Sequence, residues 1–295
     1  MKLNNVMISC SSNVGLIRHN NEDMILVRNK FVRDENYSAN ISLKECDRFI
    51  MAVADGMGGY SAGEVASQEV LASLHFYIGD LPMKLSSAHF CEALVEWLHS
   101  TNATINTKGQ LNRETYNMGT TLVAIIVYER RFFWINCGDS RIYRYRDGVL
   151  KQLSSDHSLN VLLGESKHSN TLTNCIGAGC DSPFIDIIEF TDDIQSDDVF
   201  LLCSDGLSDM VDDLHLSQLL SIDCDAPQLC QAAIDARDFD NVSACKIKIV
   251  YIINYAIKTT RQAPGYRASK EREYFRYGQY QGYDTGYSSS ENRYP

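Results

Sequence analysis

Apolar and polar positions along the chain fall into blocks with two different periods. Phe49 to Ala54 (FIMAVA) and Val199 to Cys203 (VFLLC) are uninterrupted apolar runs, and runs of this length read as strands covered on both faces. Asn5 to Ser9 and Met24 to Val27 predict shorter strands. From Thr120 to Leu153 the segments TTLVAIIV, FFWINC, RIYRYR and VLKQL predict a meander. Its last two strands are joined by Asp147-Gly148, a two-residue hairpin signal. Lys246 to Ile253 predicts one more strand. Elsewhere the period lengthens to that of a helix. Ala62, Ala66, Val70, Leu74 and Ile78 stripe one face, behind a capping box formed by Ser61 and Glu64. Phe90, Leu94, Trp97, Leu98, Thr101 and Ile105 stripe a second helix, and a third is expected around Asp225 to Ala236. One-sided helices must lie outside strands that are covered twice, so the pattern predicts two central sheets flanked by helices.

Composition adds a boundary and excludes some functions. With 295 residues, 44% of them hydrophobic, the chain can bury a substantial core. No repeat or internal linker interrupts it until about residue 256. We expect one domain over residues 1–255, followed by a Tyr/Gly/Arg-rich tail over 256–295 that is too poor in aliphatic residues to fold. A docking or self-association role for its seven tyrosines stays open as the alternative to a solvated appendage. The N-terminus has no long apolar stretch and no segment approaches a membrane span, so a cytoplasmic protein without membrane attachment is expected. Ten cysteines without a CxxC pair, with Cys137, Cys203 and Cys245 inside apolar runs, fit a reduced compartment. The net charge is −11, and because the tail carries seven Lys/Arg against four Asp/Glu, the first 255 residues hold about −14. An acidic body argues against nucleic acid as a partner. It is compatible with cations.

Both long apolar runs end in the same dipeptide, Asp55-Gly56 and Asp205-Gly206. Asp-Gly is a common turn. Three further segments, RHNNED (Arg18 to Asp23), INCGDSR (Ile135 to Arg141) and DFDNVSACKIKIV (Asp238 to Val250), also carry acids where a loop or strand end would expose them. If Asp55, Asp205, Asp240 and Glu22 converge, each pair about 4 Å apart repels by roughly 1 kcal/mol in bulk water and roughly 4 kcal/mol at an effective dielectric of about 20. Such a cluster needs cations. All-oxygen ligation favours Mg²⁺ or Mn²⁺ over zinc, and the seven histidines show neither HxxxH nor HExxH spacing. A doubly covered strand fixes the carboxylate in place, and a glycine after it would let the backbone carbonyl approach an ion unobstructed. On residue chemistry alone, ordinary turns remain the alternative.

The ordered segments RHNNED, VADGMGGYSAGEVAS, MGTTLVAIIV, INCGDSRIYRYRDG, LSSDHS, LLCSDGLSDMV and DNVSACKIKIV resemble the metal-dependent protein serine/threonine phosphatases, the type 2C or PPM family, in its bacterial spelling. The resemblance spans about residues 5 to 253. It implies an α+β fold, a four-layer αββα sandwich of two antiparallel β-sheets flanked by helices. It also implies hydrolysis of phosphoserine and phosphothreonine in proteins, opposing a Ser/Thr kinase, by a water held between two Mn²⁺ or Mg²⁺ ions. Carried over by position, Asp55 bridges the ions, Glu22 and the Gly56 carbonyl serve one, Asp205 and Asp240 serve the other, and much of the ligation runs through water. Arg18 holds the phosphate. Asp139 and Asp209 match a third, weaker ion site of some relatives, Asp23 stands behind the ligands, and Asn241 orients Asp240. Two positions depart from the family. Met57 and Tyr60 stand where relatives often place a histidine proposed as general acid, and the segment from His157 to Ile176 is short where relatives carry a flap. The alternatives are a catalytically silent relative that keeps the fold as a binding module and, less favoured by the acidic body, a two-metal nuclease. For single residues, Arg18 pairing with Glu22 and Asp139 pairing with Arg141 compete with the functional roles. A monomer is expected, acting on phosphorylated proteins.

Overall fold

The computed structural model describes residues 2–58, 62–164, 171–237 and 240–252. The expected 256–295 tail and the Ser61 half of the capping box lie outside the described residues, as does Tyr60. The strands are β1 (Lys2–Asn13), β2 (Met24–Val27), β3 (Lys30–Val32), β4 (Asn36–Ser42), β5 (Arg48–Ala54), β6 (Gly56–Met57), β7 (Gly119–Thr120), β8 (Leu122–Tyr128), β9 (Arg131–Cys137), β10 (Arg141–Arg146), β11 (Val149–Gln152), β12 (Ile176–Gly177), β13 (Asp186–Glu189), β14 (Val199–Cys203) and β15 (Val242–Ile252). The helices are α1 (Ala62–Asp80), α2 (Ser87–Leu111), α3 (Leu159–Leu163), α4 (Asp205–Ser208), α5 (Asp213–Ser221) and α6 (Ala226–Asp235).

Two six-stranded antiparallel sheets form the centre, ordered β11-β10-β14-β15-β1-β4 and β13-β9-β8-β5-β2-β3, with a small β12-β7-β6 sheet beside them. The alternation of side chains accounts for the unbroken apolar runs. Along β5, Met51 and Val53 face the other sheet and pack with Ile25, Val123, Phe200, Leu202 and Ile247. Ile50, Ala52 and Ala54 face outward onto the stripes of α1 and α2, where Ala66, Val70, Leu74, Phe90, Leu94 and Leu98 are buried. Across the other sheet, Tyr143, Leu201, Cys203 and Ala244 face outward onto Leu216, Leu229 and Ala233 of α5 and α6. The expected αββα layering is the observed one.

The Thr120–Leu153 segment is not one meander. β8 and β9 pair within one sheet, from Leu122↔Cys137 to Tyr128↔Arg131. β10 and β11 belong to the other sheet, where β10 pairs with β14. The chain changes sheets at Gly138–Ser140. Gly138 has φ +118°, and a Cβ there would sit 2.6 Å from the Thr121 Cβ, so only glycine makes this corner. The hairpin inside the segment forms as expected, with Asp147 and Gly148 both at positive φ. β4 escapes the apolar pattern because NYSANIS lies at the sheet edge and is mostly exposed or half-buried. β1 extends well beyond Asn5–Ser9 because Ser11 and Ser12, though polar, are buried, with Ser12 Oγ accepting from Asn21 Nδ2 at 2.9 Å.

Candidate metal centre

Both Asp-Gly units end their strands at the same edge of the sandwich, each in its own way. After β5, the Asp55 N–H donates to Thr121 Oγ1 at 3.1 Å. Its carbonyl accepts from the Thr121 N–H at 2.9 Å and the Thr120 hydroxyl at 2.8 Å. Thr121 Oγ1 in turn meets Ser140 Oγ at 2.6 Å, tying the Asp55 corner to the Gly138–Ser140 crossing. After β14, Ser204 donates to Asp23 Oδ2 at 2.7 Å and accepts from the Ser243 N–H at 3.0 Å, and Asp205 opens the short α4 turn.

Each glycine makes room for a neighbouring backbone. A Cβ on Gly56 would lie 2.1 Å from the Gly63 carbonyl oxygen and 2.6 Å from that of Glu22, and one on Gly206 would lie 2.1 Å from the Asn241 carbonyl oxygen. Beside the sequence-based reason for these glycines, access of a carbonyl to an ion, the structure supplies a packing reason. Gly56 admits the elements carrying Glu22, and Gly206 admits the one carrying Asp240.

Asn241 joins the remaining parts. Its Oδ1 accepts from the Glu22 N–H at 2.8 Å, its Nδ2 donates to the carbonyls of Val14 (3.0 Å) and Asn20 (2.9 Å), and its N–H donates to Asp240 Oδ1 at 2.8 Å. Arg18, on the loop so held, pairs with Asp240 Oδ2 at 2.6 Å, its side chain half exposed. It does not turn to Glu22. Ile17, Arg18, His19, Asn20, Glu22 and Gly58 line an adjoining cleft of about 390 Å³. Arg141 turns away from Asp139 and grips Asp156 at 2.7 Å.

The electrostatics show which carboxylates share one space. Burial, then the charges of Asp23, Asp205, Asp139 and Asp240, push the Asp55 carboxyl well above the ordinary range. Burial pushes Asp23 up to about 7, with Asp205 and Asp240 adding to the effect against hydrogen bonds from Ser204 and Ser243. Asp139 rises to about 7 through burial and then Asp205, and Asp205 rises to about 6 through burial and then Asp240. Glu22 is raised by burial, opposed by Arg18. Burial together with repulsion of this kind is relieved by nearby positive charge. Buried oxygens without a hydrogen-bond partner, Asp23 Oδ1 and Asp205 Oδ1, lie within the same group. Among the described residues no set of three or more His, Cys, Asp or Glu side chains forms an ion cage by itself. An oxygen-only, spread donor set fits hard ions that keep much of their water. Asp209 is exposed and reaches the group by its N–H bond to the Asp205 carbonyl at 2.8 Å.

Sequence reasoning does not find the supporting residues Thr120, Thr121, Ser140, Ser204, Arg33 and Ser67. A buried hydroxyl that takes a backbone hydrogen bond carries no periodic signal.

Known proteins resemble the chain in sequence and in fold. A family model described as protein phosphatase 2C matches residues 28–224. The serine/threonine protein phosphatase PstP of Mycobacterium tuberculosis is 31% identical over 254 residues, covering 81% of this chain and 44% of the relative. The chain thus spans less than half of that relative's length. The serine/threonine phosphatase stp of Listeria monocytogenes is 32% identical over 221 residues, 70% of this chain and 79% of the relative. Among solved structures, the catalytic domain of PstP in complex with two manganese ions superposes with a TM-score of 0.65 at 30% identity, covering 84% of this chain and 100% of that one.

Proposed function

The chain belongs to the protein phosphatase 2C family, and from that premise we propose that it hydrolyses phosphoserine and phosphothreonine in proteins with the aid of two divalent ions, Mn²⁺ or Mg²⁺. The observation that carries this reading is the meeting of Asp55, Asp205, Asp139 and Asp240 in one shared field, with Arg18 at its rim. Asp55 stands between the two sides of the site. Glu22 and the Gly56 carbonyl would hold one ion, Asp205 and Asp240 the other, and Asp139 with Asp209 would hold a weaker third. When bound, such ions supply Lewis acidity that activates a water and neutralises phosphoryl oxygens. The protein's part is to hold that geometry. Thr120 and Thr121 fix Asp55, Asn241 fixes both Glu22 and Asp240, and Asp23 stands behind them on Ser204. Arg18 exchanges Asp240 for a phosphate oxygen pair, which a planar guanidinium meets with two parallel bonds.

The natural counterpart is a Ser/Thr kinase acting on the same phosphoproteins, in the cytoplasm, with residues 1–255 as a monomeric catalytic domain and 256–295 as an appendage. Among the described residues no helix is long and apolar enough to cross a membrane. Mn²⁺-dependent release of phosphate from a phosphothreonine peptide, abolished by chelator and by Asp205→Asn, is the expected result. Peptide binding without turnover under saturating Mn²⁺ would instead identify a silent binding module.

A further inference from the structure

We propose that Arg33 is a positioning residue for the metal centre, locking the Glu22–Asp23 backbone onto the first turn of α1 so that the Glu22 carboxylate and the Gly56 carbonyl stay on the same ion. The inference rests on the metal-centre reading above.

Arg33 follows β3, ten residues from Asp23 in sequence, and its side chain is only 14% exposed. Its donors are spent on the backbone around the site. Nε donates to the Asp23 carbonyl at 2.9 Å. Nη2 donates to the Glu64 carbonyl and to Ser67 Oγ, both at 2.9 Å, while Nη1 meets the Glu64 carboxylate at 3.0 Å. Ser67 extends the clamp by one bond, because its hydroxyl donates to the Glu22 carbonyl at 2.6 Å. Two consecutive carbonyls of the segment that presents Glu22 are thus tied, directly and through Ser67, to the start of one helix. That turn also carries Gly63, where a Cβ would lie 2.6 Å from the Gly56 carbonyl carbon and 2.8 Å from the Glu22 carboxyl carbon. The helix turn, Gly56 and Glu22 have no slack between them. A planar guanidinium fork holds these four acceptors at fixed angles, which an ammonium with three donors cannot.

Charge and positioning predict opposite signs here. Arg33 and Glu64 form an ion pair, so removing the arginine alone leaves an extra negative charge beside Glu22, whose carboxyl already feels Glu64. On Coulomb grounds Arg33→Gln should bind a divalent cation more tightly. If Arg33 acts by position, the same variant should bind it more weakly, since supporting residues around metal ligands typically govern about 10–100-fold in affinity.

The test is a calorimetric titration of the full chain with MnCl₂, comparing wild type with Arg33→Gln, Arg33→Lys and Ser67→Ala. Arg146→Gln serves as a fold control, because it breaks a comparably buried pair with Asp198, 2.5 Å apart, at the opposite end of β14. The expected result is a Kd for Mn²⁺ raised about 10–100-fold in Arg33→Gln, less in Arg33→Lys and Ser67→Ala, and unchanged in Arg146→Gln even where its Tm falls. Wild-type or tighter binding by Arg33→Gln overturns the inference alone. Loss of affinity in Arg146→Gln equal to that in Arg33→Gln also overturns it, since general loosening would then suffice. Absence of Mn²⁺ uptake by wild type overturns the metal-centre reading and this inference with it. Should Arg33→Gln fail to fold by circular dichroism, wild-type affinity in both Arg33→Lys and Ser67→Ala overturns the proposal.

Discussion

The two Asp-Gly units look alike in sequence and differ in what surrounds them. Asp55-Gly56 continues extended into β6, where Gly56 pairs with Thr120, and its backbone is held by two threonines. Asp205-Gly206 turns at once into α4, and its support comes from Ser204 and the start of β15. Around the first unit, Arg33, Ser67 and Gly63 leave Glu22 little freedom. Around the second, Asp240 is 38% exposed and meets a half-exposed arginine. One dipeptide therefore builds a rigid side and a yielding side of the same site, and the difference lies in which neighbour the glycine admits.

The widest breach of the comparison should come from neutralising the shared carboxylates. After burial, the Asp55 carboxyl is pushed up by Asp23, Asp205, Asp139 and Asp240, whereas Asp205 is pushed up by Asp240 and Asp209 and held down by its contact with Asp55. If both ions lean on Asp55, Asp55→Asn should lower kcat on a phosphothreonine peptide by more than about 10³-fold, since metal charge stabilisation is worth several kcal/mol and each tenfold is about 1.4 kcal/mol. Asp205→Asn should cost somewhat less, and part of its loss should be recovered at high Mn²⁺. Equal losses that excess metal does not relieve would remove the distinction between bridging and single-sided ligands.

Next in size is the stability of the metal-free protein. Asp23 and Asp139 sit at about 7 in the fold, above the ordinary aspartate value of about 3.9. A carboxyl raised in the folded state holds its proton there longer than in the unfolded chain. Its contribution is complete below about pH 4 and is lost as pH rises through about 7, on the order of a few kcal/mol. In chelator, thermal stability should fall between pH 5.5 and 8, more steeply in wild type than in Asp23→Asn, and Mn²⁺ should restore it at pH 8. Differential scanning calorimetry across that range decides the matter, and a flat profile would mean that Asp23 and Asp139 are not raised in the fold.

What the sequence discloses is whatever repeats or is spelled in order. The uninterrupted runs at β5 and β14 and the stripes of α1 and α2 are periodic, so layers and core follow from them. The acidic positions are legible because their motifs come in sequence with known spacing. The sheet change at Gly138–Ser140 is invisible to hydrophobicity, since β9 and β10 simply read as successive strands and the +118° of Gly138 redirects the chain. Arg33 and Ser67 are equally silent, because the groups they tie together are backbone carbonyls, which every residue carries. The reason for Gly56 and Gly206 is hidden in the same way, since the backbone oxygen that a Cβ would meet at 2.1 Å stands there only in the packed state.

Those glycines supply a smaller test. Gly56→Ala and Gly206→Ala each force a methyl against a backbone oxygen that cannot rotate away, so both should destabilise by about 1–3 kcal/mol. In a unit of this size that lowers Tm by roughly 2–4 °C per kcal/mol. Gly79→Ala, where a Cβ meets nothing within 4 Å in α1, should instead raise Tm slightly, by roughly 0.5–1 kcal/mol of helix stability. Gly206→Ala should push Asn241 and loosen Asp240, whereas Gly56→Ala should separate Glu22 from the Gly56 carbonyl. Identical metal titrations for the two variants would contradict the division into two sides.

The smallest effect on stability, and the sharpest reading of the yielding side, belongs to Arg18. Its pair with Asp240 is short at 2.6 Å, yet the two side chains are 50% and 38% exposed, and exposed ion pairs contribute only about 0–1 kcal/mol. Arg18→Ala should therefore leave Tm nearly unchanged, by less than about 0.5 kcal/mol. Its work should appear in substrate binding, as a KM for phosphothreonine peptide raised about tenfold, the scale of a lost charge-assisted pair of bonds. Arg18→Lys keeps the charge and loses the fork, so its KM should fall between the two. If phosphate competes with Asp240 for Arg18, Asp240→Asn should free the guanidinium and raise the affinity for inorganic phosphate in Mn²⁺-free protein. A Tm that collapses in Arg18→Ala while KM stays put would show that Arg18 braces the loop and leaves phosphate to others.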